Sequence, residues 1–191
     1  MPFYMQKNIH LKHHEKLNEA DDPNLIYAGG PFWQLPLRYF KTISYMNQWV
    51  KTDPRTANEK RSDQTWMLVA AVIYAIAFFA GFFKEILLLW LVPKIIAKLV
   101  MDWYINYLPH ACLPPDKFEG TRIIDLPWFT PFVLFHNYHA VHHLWPKNPW
   151  HSYYKLYCER NDFIKKHGVP IEHRLSGFHA SRKTGNPVAY A

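Results

Sequence analysis

Cysteine is almost missing from this chain of 191 residues, and glycine is scarce. Cys112 and Cys158 form no CxxC pair and no disulfide framework, which suits a reducing compartment and excludes a disulfide-stapled scaffold. The seven glycines include no GxGxxG fingerprint, so the sequence carries no dinucleotide-binding motif. No fixed-period repeat or low-complexity tract occurs. Residues 1–24, with one short apolar patch, do not read as a cleavable signal peptide. Lys and Arg outnumber Asp and Glu by 22 to 15, but they are scattered rather than gathered into a basic stripe, which argues against nucleic acid. Glu15 follows His14 without completing HExxH, so a zincin is excluded as well.

Apolar and aromatic residues are abundant instead. Aromatics make up 17% of the chain and there are 15 Pro, a profile unusual for a soluble domain. Mean hydropathy is slightly negative, −0.25, only because polar ends dilute an apolar middle. Residues 65–83 (TWMLVAAVIYAIAFFAGFF) run for 19 positions without a charge, about 28 Å of helix, which predicts a membrane span. Residues 86–108 are long enough to return but carry Lys94, Lys98 and Asp102. Their 12 Leu, Ile and Val favour insertion by about 4–7 kcal/mol, while three central charges oppose it by about 8–10. Insertion therefore requires the Lys stems to snorkel and Lys98 to meet Asp102 at i, i+4.

A turn at Lys84-Glu85 would close a helical hairpin and put both flanks on one side of the membrane. Those flanks hold 9 and 10 of the 22 Lys and Arg, which makes that side cytoplasmic. Residues 1–19 read as a helix, stopped by Asp21-Asp22-Pro23-Asn24 and the Gly29-Gly30-Pro31 turn. Residues 31–50 read as an aromatic-rich interfacial helix, 51–64 as a polar connector, 109–127 as loop, 128–144 as one helix and 149–167 as an amphipathic helix. The expected fold is thus all-α and integral to the membrane: one transmembrane hairpin with interfacial and cytosolic helices, a domain over 1–167 and a tail over 168–191. Tyr39, Tyr45, Trp49, Trp150, Tyr153, Tyr154 and Tyr157 are expected as interface anchors. His151, His167, His173 and His179 lack partner spacing and are expected to be solvated.

Chemistry is concentrated in two triplets of identical spacing, His10-Leu-Lys-His13-His14 and His139-Ala-Val-His142-His143, one on each side of the hairpin. On a helix, i, i+3, i+4 spacing gathers three imidazoles within roughly 100° of arc, as metal ligation requires. One copy among 12 His is weak; two copies flanking a hairpin are much stronger. Imidazole suits Zn, Cu, Fe and Ni alike, so ligand type alone does not choose the metal. One triplet would suffice for a catalytic zinc, whereas two triplets can hold two ions. Asp102, Asn106 and His110 follow at i, i+4, i+8 on one face, which makes His110 a seventh candidate ligand and Asn106 a water-bridging or indirect one. His136, one turn before the second triplet, is expected beside the site rather than in it.

HLKHH followed by EADDPN, the helix end NYLPH, and NYHAVHHLWP with Pro149-Trp150 just after resemble the membrane fatty acid desaturase superfamily, which includes sterol, alkane and carotenoid hydroxylases and ketolases. The resemblance runs from Met1 to about His167. It implies that His10, His13 and His14 are a second histidine box, His110 an added ligand, and His139, His142 and His143 a third box, together binding two irons on the cytosolic side of a four-helix bundle. Asn106 matches a position that can hold a metal-bound water. The implied reaction is O2-dependent desaturation or hydroxylation of an acyl lipid, or of a carotenoid, with electrons from a ferredoxin, rubredoxin or cytochrome b5-like donor. The family's first box, HxxxH or HxxxxH, and its first membrane hairpin have no counterpart in this sequence, which covers the second half of such a bundle. A fragment is therefore expected.

A membrane zinc hydrolase and a non-catalytic protein that keeps the motif are the competing classes. An imidazole shell lacking two members leaves an iron poorly fixed. Purified protein of this length is therefore expected to show no steady O2-dependent turnover of lipid; sustained product formation would contradict this.

Overall fold

The computed structural model describes residues 2–28, 32–34, 36–38 and 53–175. Helix α1 spans Phe3–Glu15, α2 spans Ala57–Phe79, and α3 runs continuously over 83–107. Shorter helices follow: α4 at His139–Leu144, α5 at Tyr153–Glu159 and α6 at Asn161–Lys166. The architecture is mostly helical, with one addition to the all-α expectation. Two-residue strands β1 (Ile123–Ile124) and β2 (Ile171–Glu172) pair in parallel, Ile123 opposite Ile171.

Helix α2 starts earlier than its apolar pattern. Thr56 and Glu59 form a capping box, with Glu59 N–H donating to Thr56 Oγ1 at 3.3 Å and Thr56 N–H to Glu59 Oε2 at 2.9 Å. Residues 57–64, expected as connector, are thereby helical. Among the described residues α2 is the helix long and apolar enough to cross a membrane. Its large side chains, among them Trp66, Ile73, Ile76 and Phe79, are exposed.

The hairpin turn lies at Ala80 to Phe82, not at Lys84-Glu85. Gly81 takes φ +85, which no residue with a Cβ adopts easily, so the chain reverses there and Lys84 and Glu85 fall in the first turn of α3. Trp90 Nε1–H donates to Tyr74 Oη at 2.7 Å and ties the two helices together. Helix α3 widens to i→i+5 bonding over Leu87–Leu91, just before Pro93, which has no N–H to offer the preceding turn. It widens again over Asp102–Tyr107. Lys98 and Asp102 pair as their spacing predicts.

The region expected as one helix over 128–144 is broken. A 3₁₀ turn at Thr130–Val133 is followed by two left-handed residues, Leu134 (φ 49) and Phe135 (φ 63), then a second 3₁₀ turn at His136–Tyr138 and finally α4. The 149–167 segment is likewise divided by a non-helical Arg160 between α5 and α6. Tyr153 and Tyr157, expected at the membrane interface, lie in the core with Ile123, Tyr138, Ala140, Val141, Ile164 and Val169. The hydroxyls of Tyr138 and Tyr157 donate to the two oxygens of Asp125 at 3.2 and 3.0 Å. Trp150 and Tyr154 remain exposed, while Tyr39, Tyr45, Trp49, most of the expected interfacial helix, and residues 176–191 with His179 fall outside the described residues. His167, expected as solvated, stacks on Phe118 and Phe163 with ring centroids at 4.6 and 4.0 Å.

Helix α1 ends at Glu15, short of the expected residue 19. Asn18 takes a left-handed φ of 56, which Asn tolerates, and its side-chain amide donates to the carbonyls of Gly120 (2.7 Å) and Pro114 (3.1 Å). Gly120 has to be glycine here: a Cβ would stand 2.2 Å from Asp116 O and 2.9 Å from Leu17 Cδ2. Gly120→Ala is expected to destabilise the fold by about 1–3 kcal/mol, read as a lower midpoint of thermal unfolding in detergent. An unchanged midpoint would contradict this close approach.

Candidate metal centre

Three separate stretches bring seven imidazoles together. Helix α1 supplies His10, His13 and His14, the turn after α3 supplies His110, and α4 supplies His139, His142 and His143. They sort into two groups that could hold a metal: His13, His110, His139 and His143 in one, and His10, His14 and His142 in the other, each with ligand atoms within 4.8 Å of one another. Neither group includes a thiol or a carboxylate.

The sorting follows from helical geometry. At about 100° per residue, i and i+4 point within about 40° of each other, whereas i+3 diverges from i+4 by about 100°. Each helix accordingly gives its i, i+4 pair to one group and its i+3 residue to the other. His10 and His14 stay together while His13 crosses; His139 and His143 stay together while His142 crosses. The groups abut: His14 and His143 stack with centroids 4.2 Å apart, and His142 lies 5.4 Å from His139.

In the smaller group the Nε2 atoms of His10, His14 and His142 form a triangle with edges of 3.1, 3.1 and 2.9 Å. Each such nitrogen either donates or accepts, so a triangle of neutral rings must leave at least one edge between two like groups. A cation that accepts all three lone pairs removes that conflict. Edges near 3.0 Å also match ligands about 2.0–2.1 Å from one ion at roughly right angles. In the larger group His139 Nε2 and His143 Nε2 are 3.1 Å apart, and His110 rings sit 4.8–5.0 Å from those of His13, His139 and His143.

Supporting contacts fix which nitrogen faces inward. His13 Nδ1–H donates to both oxygens of Asp22 at 2.9 and 3.0 Å, which leaves Nε2 with its lone pair, buried and without a hydrogen-bond partner. Asp22 is itself held by the N–H groups of Asn18 (2.8 Å) and Asn24 (2.7 Å). Asn24 Nδ2–H donates to Asn106 Oδ1 at 3.3 Å, and Asn106 Nδ2–H to Asp102 Oδ1 at 2.9 Å, so a chain of polar contacts runs from α3 to His13. His142 Nδ1 shares a hydrogen bond with Tyr153 Oη at 2.8 Å. His136 stands outside both groups. Its Nδ1–H donates to the carbonyls of Val133 and Leu134, and its ring is 6.4 Å from His139.

Asp22 and Tyr153 carry no spacing signal that separates them from ordinary turn and interface residues. Asp22 lies inside EADDPN, where an Asp before Pro reads as a helix stop. Tyr153 reads as one more aromatic after the second triplet.

Burial and mutual repulsion favour the neutral form, the one that ligates metal, of His10, His14, His110, His139, His142 and His143. Burial, then the neighbouring His13, pushes His10 down to about 4; burial, then His10, pushes His14 to about 3; burial, then His14, pushes His142 to about 3. His110, His139 and His143 are driven well below 6.5, again first by burial.

The sequence model of the family described as "Fatty acid desaturase" matches residues 1–175. No curated protein and no solved structure matches the chain.

In the unfolded chain the imidazoles of His10, His14 and His142 take up protons near pH 6.5, while in the folded metal-free protein they resist protonation until about pH 4 or 3. The unfolded state therefore binds more protons in that window, and stability, intact above about 6.5, is lost as pH falls toward 4. The thermal midpoint of metal-free protein is expected to be lower at about pH 5 than at about pH 7.5. An equal or higher midpoint at the acid value would contradict the burial of neutral rings.

Proposed function

The chain belongs to the fatty acid desaturase family, and on that footing we propose that it carries the metal centre of a membrane di-iron oxidoreductase, which desaturates or hydroxylates an acyl lipid with O2. The observation that carries this reading is the pair of abutting imidazole groups, three nitrogens beside four, with each triplet shared between them. A hydrolytic zinc needs one three-histidine site and a water. A second group of four imidazoles, three of them buried, against the first exceeds what that site requires.

Two reduced irons, when bound, would supply O2 activation and abstraction of hydrogen from an unactivated C–H bond. The chain's own residues do the rest. His10, His14 and His142 hold one ion; His13, His110, His139 and His143 hold the other. Asp22 and Tyr153 keep His13 and His142 turned with one nitrogen inward. Asn106 steadies the Asp22 turn through Asn24, and in this reading it would also bridge to a metal-bound water. With its Nδ1–H committed to backbone carbonyls, His136 keeps an acceptor at Nε2 for a water or proton beside the larger group.

The membrane supplies the substrate. Helix α2 crosses, α3 returns with Lys98 neutralising Asp102, and the histidines lie on the cytoplasmic face where α3 ends. The excess of Lys and Arg on that face suits an acidic ferredoxin, rubredoxin or cytochrome b5-like donor.

Anaerobic loading of the purified full chain, followed by metal analysis, tests the reading. About two irons per chain are expected. Uptake of about one zinc per chain with no retained iron would contradict it and favour a hydrolase.

A further inference from the structure

Helix α1 has no N-cap of its own. Pro2 occupies the cap position and offers no side-chain acceptor, so the first free N–H groups of the helix need a partner from elsewhere. Asp63, on the first turns of α2 and only 2% exposed, supplies it: Oδ1 accepts from Tyr4 N–H at 3.1 Å and Oδ2 from Met5 N–H at 2.9 Å. Behind it, Arg55 Nη1 donates to Asp63 Oδ2 at 2.6 Å, while its Nη2 and Nε reach Asp53 at 2.7 and 2.9 Å. Lys7 and Glu59 add a looser tie between the same two helices at 3.8 Å.

We propose that Asp63, braced by Arg55, is a positioning residue that fixes the register of α1 and thereby closes the three-imidazole group; this rests on the two-metal reading above. Two adjacent amides on the two oxygens of one carboxylate allow one axial and rotational setting of the helix. A slip of one residue moves each side chain by about 1.5 Å along the axis and about 100° around it, enough to turn a ligand away. Apolar packing alone defines that setting poorly, because the buried face of α1 consists of Met5, Ile9 and His13.

The consequence is unequal for the two groups. Helix α1 gives two of the three ligands of the smaller group, His10 and His14, but one of the four ligands of the larger, His13. Loss of register therefore opens the smaller group first.

The test is an anaerobic titration of the full chain in detergent with Co(II), followed by its visible d–d absorption, with far-UV circular dichroism on the same samples. Wild-type protein is expected to take up two equivalents. Asp63→Ala should keep one at wild-type affinity and weaken the other by about ten-fold or more, losing the same spectral component that His142→Ala loses. Asp63→Asn, which keeps one oxygen for an amide but not the ion pair with Arg55, should fall between and guards against a folding defect in the alanine variant. Wild-type affinity and spectrum for both equivalents in the two Asp63 variants would overturn the proposal. Equal weakening of both equivalents in Asp63→Asn would also overturn it, since that marks a general structural role. If wild-type protein binds fewer than two equivalents, the two-metal reading itself fails and the proposal falls with it.

Discussion

Three imidazole nitrogens that face one another at hydrogen-bond distance cannot all be satisfied by one another, and this constraint shapes the rest of the molecule. The rings of His10, His14 and His142 are brought to that geometry from segments more than a hundred residues apart. Burial of unpaired polar atoms is costly unless something accepts their lone pairs. The cost is concentrated at one place, where four further imidazoles adjoin, and a pair of cations would turn it into binding energy. Neutral rings at physiological pH are the form such cations need, and the burial that lowers the pKa values of His10, His14 and His142 keeps them so.

The surrounding fold holds the rings in place. Helix α4 has two working faces within six residues: Ala140 and Val141 sink into the core beside Tyr138 and Ile123, and the same anchoring aims His139, His142 and His143 the other way. Helix α1 is held at one end by Asp63 and followed at the other by the Asn18–Asp22 turn, whose carboxylate orients His13. Arg122, buried, links Glu172 of β2 (3.0 Å) to the carbonyl of Ala111 next to His110. The segments that carry His10, His13, His14 and His110 are therefore positioned by polar contacts with parts of the chain remote in sequence, and α4 by its apolar core.

Period and spacing made much of this legible. The triplets announce their own helices, the apolar run of α2 announces a helix long and apolar enough to cross a membrane, and Lys98 with Asp102 announces an intrahelical pair. What escaped the sequence is the set of features decided by tertiary contact. Leu134 and Phe135, both left-handed, carry no local signal, since left-handed backbone is expected of Gly or Asn; they break a segment whose composition reads as one helix. The charged pair Lys84-Glu85 suggests the hairpin turn, yet Gly81, three residues before Lys84, has the backbone freedom a reversal needs. Asp22, Tyr153 and Asp63 acquire their roles from partners that only folding supplies.

X-ray absorption at the iron edge of the loaded protein tests the central claim most directly. An all-imidazole centre predicts a first shell of nitrogen or oxygen scatterers at about 2.0–2.2 Å, strong multiple scattering from imidazole rings, and no sulfur. A sulfur shell, or an oxygen shell without the imidazole signature, would contradict a centre built from these seven histidines.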